Sequence, residues 1–512
     1  LKNEKYIYPI LVLLGIAALL IFKWDKLFLP FFWDEAWVYG PAVMTMAESG
    51  PCLSPGCISQ HLHTGHPLLF YFSAATWMTI FGISTAAGHA FAMTVSVAFL
   101  ASVYYVLSKL INQRMAFIAF LFLLVQPVFV ALSSFMLAEI FLSLIAIWTL
   151  YFYAKKKWFL FVILASMLVS TKESGFIFLA AIYLHYIISN FKSLFTLNGI
   201  KNGLVVLIPF LIGCSFFIVQ KIKFGWYFFP RHLNWVDPDF DSLLKKGATV
   251  VNFLFVDQGR LMFFYIATPI LLLLSSSNYF EQKRFRYILP GASLIFLAFW
   301  PITTTMVSLA LTIVFSLKNS STEKKAFLAV AGIFTFGYIL FSAMNFLSLR
   351  YLYIIFPMIA LVIAIVLSNE KYKYLAVAFS IFIGINGYLS LRDNSKVNNV
   401  WGISLTYSKM VEVHQDVVDY ILENDLKNER ILTHGLVYTA FTNPMAGYVS
   451  KDMEPLKHIN NFPADSSEIV IYSCIEQDAK FKPILENDSL IKLVEFKDGP
   501  AWSVIYRRVM EE

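Results

Sequence analysis

The chain has 512 residues, of which 58% are hydrophobic and only 14% charged, with a mean hydropathy of +0.66. Soluble domains carry about a quarter charged residues, so a soluble globular protein is excluded, and the shortfall is what lipid-facing helices demand. The net charge of +7 comes from Lys and Arg in short clusters between apolar runs, a distribution that suits inner loops of a membrane protein and not a nucleic-acid-binding face.

Apolar runs separated by polar breaks fall at about 6–22, 85–107, 115–132, 136–154, 158–170, 175–189, 203–220, 260–275, 287–301, 302–317, 326–343, 350–367 and 373–390. They predict about thirteen transmembrane helices in an all-α polytopic domain. The first run follows Lys2 and Lys5 and precedes no small-residue cleavage site, so it reads as a retained helix with a cytoplasmic N-terminus. The stretch Trp158 to Ile188 is interrupted only by Thr171-Lys172-Glu173, and Ile288 to Leu317 only around Pro301. Splitting both keeps Lys155, Lys156, Lys157, Lys192, Lys283, Arg284, Arg286, Lys318, Lys324 and Lys325 on the inner side, whereas merging either flips several outward.

An odd number of spans then places two long segments, 23–84 and 221–259, and the tail after Leu391 outside the cytoplasm. Leu68 to Phe81, interrupted by Ser73 and Thr76, reads as a helix on or dipping into the interface. Trp226, Tyr227, Phe228, Phe229 and Trp235 make the second segment an interfacial loop. Residues 1–391 thus form the transmembrane domain. Residues 392–512 turn charged and alternating, with helical spacing over 410–423 and strand patterns at 430–433, 468–473, 490–496 and 502–507. They predict a small extracytoplasmic α/β domain.

The candidate chemistry lies on the outer side. Asp34 and Glu35 are adjacent acids inside FFWDEAWVY, directly after the first span. Carboxylates among bulky apolar groups serve either as a partly desolvated general base or as the favoured acids of a helix N-terminus. Cys52 and Cys57 bracket the turn CLSPGC; an oxidising compartment favours a small disulfide there, and two free thiols are the alternative. His61, His63 and His66 follow within six positions, either holding a divalent metal or phosphate or lying solvated in a loop. Glu139 is the sole charge between Arg114 and Lys155, either snorkelling or facing a cavity. Lys172 and Glu173 share an outer turn and can pair with each other. Arg231, beside His232, and Arg350, opening RYLYIIFP, suit a phosphate headgroup, of a substrate or of ordinary lipid. No Gly-rich phosphate loop, G-x-S-x-G or H-E-x-x-H is present.

These features together resemble the GT-C superfamily of membrane glycosyltransferases, and more closely its protein O-mannosyltransferase-like group, which includes the lipid A aminoarabinose transferases. The resemblance rests on Asp34-Glu35 followed by Tyr39, on TGHPLLFYFSAATWMTIFGIS from Thr64 to Ser84, on STKESGF from Ser170 to Phe176, and on RYLYIIFPMIAL from Arg350 to Leu361. Two positions depart from it: His66-Pro67-Leu68 stands where aminoarabinose relatives show Lys-Pro-Pro, and Glu139 where relatives often have Asp.

The resemblance implies an inverting transferase of the inner membrane that moves a sugar from a polyprenyl-phosphate donor. The acceptor would be a hydroxyl or phosphate of a glycan, lipid or protein on the extracytoplasmic face. It assigns Asp34, Glu35 and Glu139 to catalysis and His66, Lys172, Arg231 and Arg350 to the donor phosphate, with a divalent metal compatible at His63 and His66 but not demanded. The rivals are a flippase or transporter of lipid-linked sugars, for which the inverted repeats are not found, and an assembly protein without chemistry. A cavity joining Asp34, Glu139 and Arg231 discriminates among them.

Overall fold

The computed structural model describes residues 4–509 apart from 60, 61, 63, 281–282, 319, 369–372, 397–401, 451, 454–455, 457, 461–463 and 476–489. Helices α1 (Glu4–Lys23), α2 (Gly40–Ser49), α3 (Leu69–Phe81), α4 (Thr85–Leu110), α5 (Gln113–Leu124), α6 (Pro127–Leu132), α7 (Ala138–Ala154), α8 (Trp158–Val169) and α9 (Ser174–Asn190) form the first half. The second half holds α10 (Leu197–Phe224), α11 (Pro230–Leu233), α12 (Phe240–Phe255), α13 (Arg260–Tyr279), α14 (Lys283–Phe299), α15 (Pro301–Lys318), α16 (Thr322–Met344), α17 (Ile355–Val366) and α18 (Lys373–Asn394). Side-chain caps set several starts: Ser84 accepts from the Ala87 amide at 3.1 Å and Asn112 from the Met115 amide at 2.9 Å.

Every expected span falls on helix, and the breaks at Lys172 and Pro301 are real. Among the described residues, however, only nine helices are long and apolar enough to cross a membrane, fewer than the thirteen expected. The shortfall lies in α5, α7, α8 and residues 286–299 of α14, which are apolar but short. Pro127 stops α5 from continuing, and Lys155 to Lys157 end α7. A 12-residue helix such as α8 rises only about 18 Å against a hydrocarbon core of about 30 Å, too little to cross it alone. The chain is a multi-pass membrane protein. Its centre is α17, every residue of which is buried, as befits a helix apolar on all sides.

Both long connecting segments carry structure beyond expectation. The 23–84 segment includes α2 as well as α3, and α3 turns Phe70, Tyr71, Ala74, Ala75 and Met78 into the protein while Ile80 and Phe81 stay exposed. The 221–259 segment is not a loop throughout. It holds the 16-residue helix α12, capped by Asp239 on the Ser242 amide at 2.9 Å, whose second half buries Val250, Val251 and Phe253 to Phe255.

The tail contains α19 (Tyr407–Glu423), α20 (Gly435–Thr442) and strands β1 (Ile431–Leu432), β2 (Ile469–Ser473), β3 (Leu490–Asp498) and β4 (Ala501–Arg508). Their order is β1-β2-β4-β3, with β1 parallel to β2 and the other pairs antiparallel, Ile471 standing opposite Ile505. The strands fall where alternation predicts them, and α19 packs across β3 and β4. The tail also grips the start of the membrane domain. Lys23 Nζ donates to Tyr407 Oη at 2.9 Å and Lys26 meets Glu412 at 2.9 Å. The Phe31 amide donates to the Ala446 carbonyl at 2.8 Å, Trp37 Nε1 to Thr439 Oγ1 at 2.7 Å, and Asn443 Nδ2 to the Ala36 carbonyl at 3.2 Å.

Candidate active site

Those last three bonds bracket Asp34. The backbone reaches it through Trp33 in a left-handed conformation, φ +54°, unusual for a bulky residue and characteristic of sites held by their surroundings. It then winds over-wide, the Gly40 amide donating to the carbonyl of Glu35, five residues back. This irregular turn points adjacent acids in opposite directions. Asp34 opens toward a cavity and contacts the Arg350 guanidinium. Glu35 is fully buried on the other side, accepting from the Met136 and Phe32 amides with His89 Nε2 3.4 Å away. Its geometry is that of a clamp between the Asp34 turn and the start of α7, not of a catalytic group.

Arg350 lies in the tight turn Leu349–Ile354 that leads into α17. Its Nε is 3.7 Å from Glu139 Oε1, in the first turn of α7. That oxygen also accepts from Lys172 Nζ at 3.0 Å. Asp34, Arg350, Glu139 and Lys172 therefore form a continuous chain of alternating charge. Only Asp34 is substantially open, with 26% of its side chain exposed against 8% or less for the other three. Burial lowers the Lys172 pKa, but Glu139 outweighs it and holds the ammonium above its ordinary range. The Tyr351 ring caps Lys172 at 3.7 Å. Lys172 does not pair with Glu173, contrary to the reading of that turn as a self-contained pair.

Glu173 instead meets His66, Nδ1 to Oε2 at 2.7 Å, and the His66 and His232 rings lie 5.2 Å apart. Burial would raise the Glu173 carboxyl, yet the neighbouring His66 holds it below its usual value. Burial, reinforced by His66, pushes His232 down to about 4. One donor atom from each of the three residues lies within 4.8 Å of the others. Two imidazoles and a carboxylate at that spacing fit a divalent transition ion. His61 and His63 lie outside the described residues, so His66 finds its partners on other segments.

Asp34, His66, Arg231, His232 and Arg350 line one cavity of about 540 Å³, walled by Trp33, Trp37, Trp235 and Tyr351. Arg231 is exposed in it, its guanidinium 5.8 Å from the Trp235 ring. Glu139 and Lys172 do not line the cavity; they stand behind Arg350. Cys52 and Cys57 are bonded to each other in the adjoining loop, with Cα atoms 6.1 Å apart.

Comparison with known proteins follows the same outline. A family described as dolichyl-phosphate-mannose-protein mannosyltransferase matches residues 65–213. No curated protein matches the chain. Among solved structures, ArnT from Cupriavidus metallidurans in the apo state is similar with a TM-score of 0.52 at 12% identity, covering 96% of this chain and 97% of that one. ArnT bound to undecaprenyl phosphate gives a TM-score of 0.50 at 12% identity, covering 98% of both chains. The chain shares the fold of these ArnT structures.

Within this fold, Glu173 and His232 as partners of His66 and the tryptophan walls are the features that sequence reading missed. The signal for His232 was its place beside Arg231 in an aromatic segment. Nothing along the chain brings residues 66, 173 and 232 together, because each stands on a different connecting segment.

Proposed function

We propose that this protein is a membrane glycosyltransferase that takes a sugar from a polyprenyl-phosphate donor and transfers it to an acceptor on the extracytoplasmic face with inversion. The observation that carries the reading is the single cavity in which Asp34, the one carboxylate among its described lining residues, shares the walls with Arg231, Arg350 and the His66–His232 pair. Nucleotide sugars belong to the cytoplasm, so a site on the outer side calls for a lipid-carried donor. An apolar groove of about 390 Å³ between α15, α16 and α17, lined by Met306, Ile313, Phe336 and Val362, supports the same reading. It lies along the two helices whose connecting loop carries Arg350, in position for an isoprenoid chain.

The chemistry follows from the side chains. Arg231 and Arg350 neutralise the donor phosphate as it becomes the leaving group. Asp34 orients the acceptor hydroxyl and receives its proton. The acceptor oxygen forms a bond to the anomeric carbon from the face opposite the phosphate, and the carbon–oxygen bond to the phosphate breaks with its electron pair leaving on phosphate. Trp33, Trp37 and Trp235 supply flat apolar walls for the sugar ring and exclude water. Glu139 and Lys172 are positioning residues that hold Arg350 from behind. A divalent ion held by His66, Glu173 and His232 would add positive charge near the phosphate.

Asp34→Asn is expected to abolish transfer from a polyprenyl-phosphate sugar in proteoliposomes while polyprenyl phosphate still binds. Full transfer activity in that variant would remove Asp34 from the mechanism, and failure of the unsubstituted protein to bind polyprenyl phosphate would remove the reading itself.

A further inference from the structure

A second cavity of about 530 Å³ adjoins the first, and the two share Leu349 and Ile403 as a partition. Its other wall comes from the start of α13 and the end of α18: Asp257, Gln258, Asn386, Asp393 and Asn394, with the hydroxyls of Ser390 and Ser404.

The two cavities differ in charge. The first sets Arg231, Arg350, His66 and His232 against one carboxylate. The second presents two carboxylates and three amides, with no Lys, Arg or His among its described lining residues. Such a lining accepts from and donates to hydroxyl groups and offers phosphate no cation of its own, since Arg392 is taken up by Asp393 at 3.0 Å and Arg260 stands behind Gln258.

The second cavity is also braced from behind by a charge that the donor site does not use. Arg260 is 1% exposed; its Nε donates to the Phe253 carbonyl at 2.9 Å and its Nη1 to Gln258 Oε1 at 3.0 Å. Gln258 Nε2 in turn donates to the Ile403 carbonyl at 3.0 Å. Asn394 Oδ1 accepts from the Leu405 amide at 2.8 Å. A buried guanidinium thus fixes the amide that ties down the partition, as binding sites require of their supporting residues.

We infer that the second cavity holds the acceptor, and that the acceptor is an uncharged, hydroxyl-rich carbohydrate without phosphate beside the reacting hydroxyl. This deepens the proposed function and rests on it. The reacting hydroxyl reaches Asp34 past the edge that Leu349 and Ile403 form where the two cavities meet, gives its proton to that carboxylate and bonds to the anomeric carbon, while the polyprenyl phosphate departs with the electron pair.

The test uses the full chain in lipid nanodiscs loaded with polyprenyl phosphate. Binding of maltotriose, mannotriose and N-acetylated chitotriose is measured by calorimetry, with a phosphorylated maltotriose as contrast. At least one neutral trisaccharide is expected to bind, and more tightly than the phosphorylated one. Asn386→Trp, which fills the cavity, and Asp257→Leu, which removes one of its two carboxylates, are each expected to weaken that binding by about tenfold. Their polyprenyl-phosphate affinity should stay at the parent value, which also reports that they are folded. Undiminished trisaccharide binding in both variants, preference for the phosphorylated sugar, or no neutral binding at all would overturn the inference. Absence of polyprenyl-phosphate binding by the parent would instead strike the proposed function.

Discussion

Arg350 touches two acids, Asp34 at the cavity and Glu139 behind it. A donor phosphate entering the cavity becomes a third claimant for the same guanidinium. Since Glu139 is buried and also held by Lys172, the partner that gives way is Asp34. Under the proposed function, phosphate binding would then free the carboxylate when an acceptor needs it, and the ion chain would couple donor arrival to the release of the base. That coupling requires Glu139 to stay charged and in place, which is the work of Lys172. Removing one member of a buried pair leaves an uncompensated charge and costs about 3–5 kcal/mol. Lys172→Met is therefore expected to lower the thermal unfolding temperature of the purified protein markedly. Adding Glu139→Gln to it should restore much of the stability without restoring transfer. Equal stability of Lys172→Met and the parent would show that Glu139 is satisfied by Arg350 alone.

At the scale of elements, the site depends on short helices and tight turns. The turn 170–173 can carry Lys172 and Glu173 to different partners because α8 and α9 meet so closely. A methyl group on Gly175 would lie 2.5 Å from the Leu168 carbonyl oxygen, so only glycine fits there. The sequence shows this turn as a break with charged residues, and hydropathy alone locates it. It does not show that the two charges diverge, because divergence is decided by Glu139 of α7 on one side and His66 of the 23–84 segment on the other. The same reasoning explains Asp34 and Glu35: adjacency along the chain suggests a shared role, and only the over-wide turn separates them. By contrast, α19 and the strands of the tail were readable because their apolar residues repeat at the periods of helix and strand.

One element of the tail has its own pH response. His414 on α19 is fully buried, with Nε2 3.2 Å from Ser473 Oγ and no hydrogen-bond partner for Nδ1. Burial pushes it from 6.5 down to about 3. Its folded value lies below its unfolded one. Between these values the unfolded chain binds a proton that the folded chain refuses, so stability is whole above pH 6.5 and falls as the pH drops toward 3. By pH 5 the loss amounts to about 2 kcal/mol. Unfolding followed by proteolysis of the tail is expected to accelerate over that range, and His414→Leu should flatten the dependence.

For the molecule as a whole, the tail and the bundle meet at the turn that carries Asp34. Residues 31–37 would otherwise be a surface strap after α1, with Trp33 in a conformation that a bulky side chain disfavours. The Phe31, Ala36 and Trp37 contacts to Ala446, Asn443 and Thr439 fix that strap on both sides of Asp34. The tail is in this view a positioning element for the carboxylate, over and above any contact it makes with an acceptor. Removing both side-chain ties, in Thr439→Val with Asn443→Ala, should leave the apolar interface and the membrane bundle intact. Net hydrogen bonds of this kind contribute about 1 kcal/mol each, too little to unfold the protein. A displacement of about 1 Å at a reacting group, however, can cost a hundredfold in rate. The double variant is therefore expected to bind polyprenyl phosphate at the parent affinity and to lose kcat far more than it raises the KM for acceptor. If kcat instead stayed at the parent value, the strap would be self-supporting, and the tail's role would lie elsewhere.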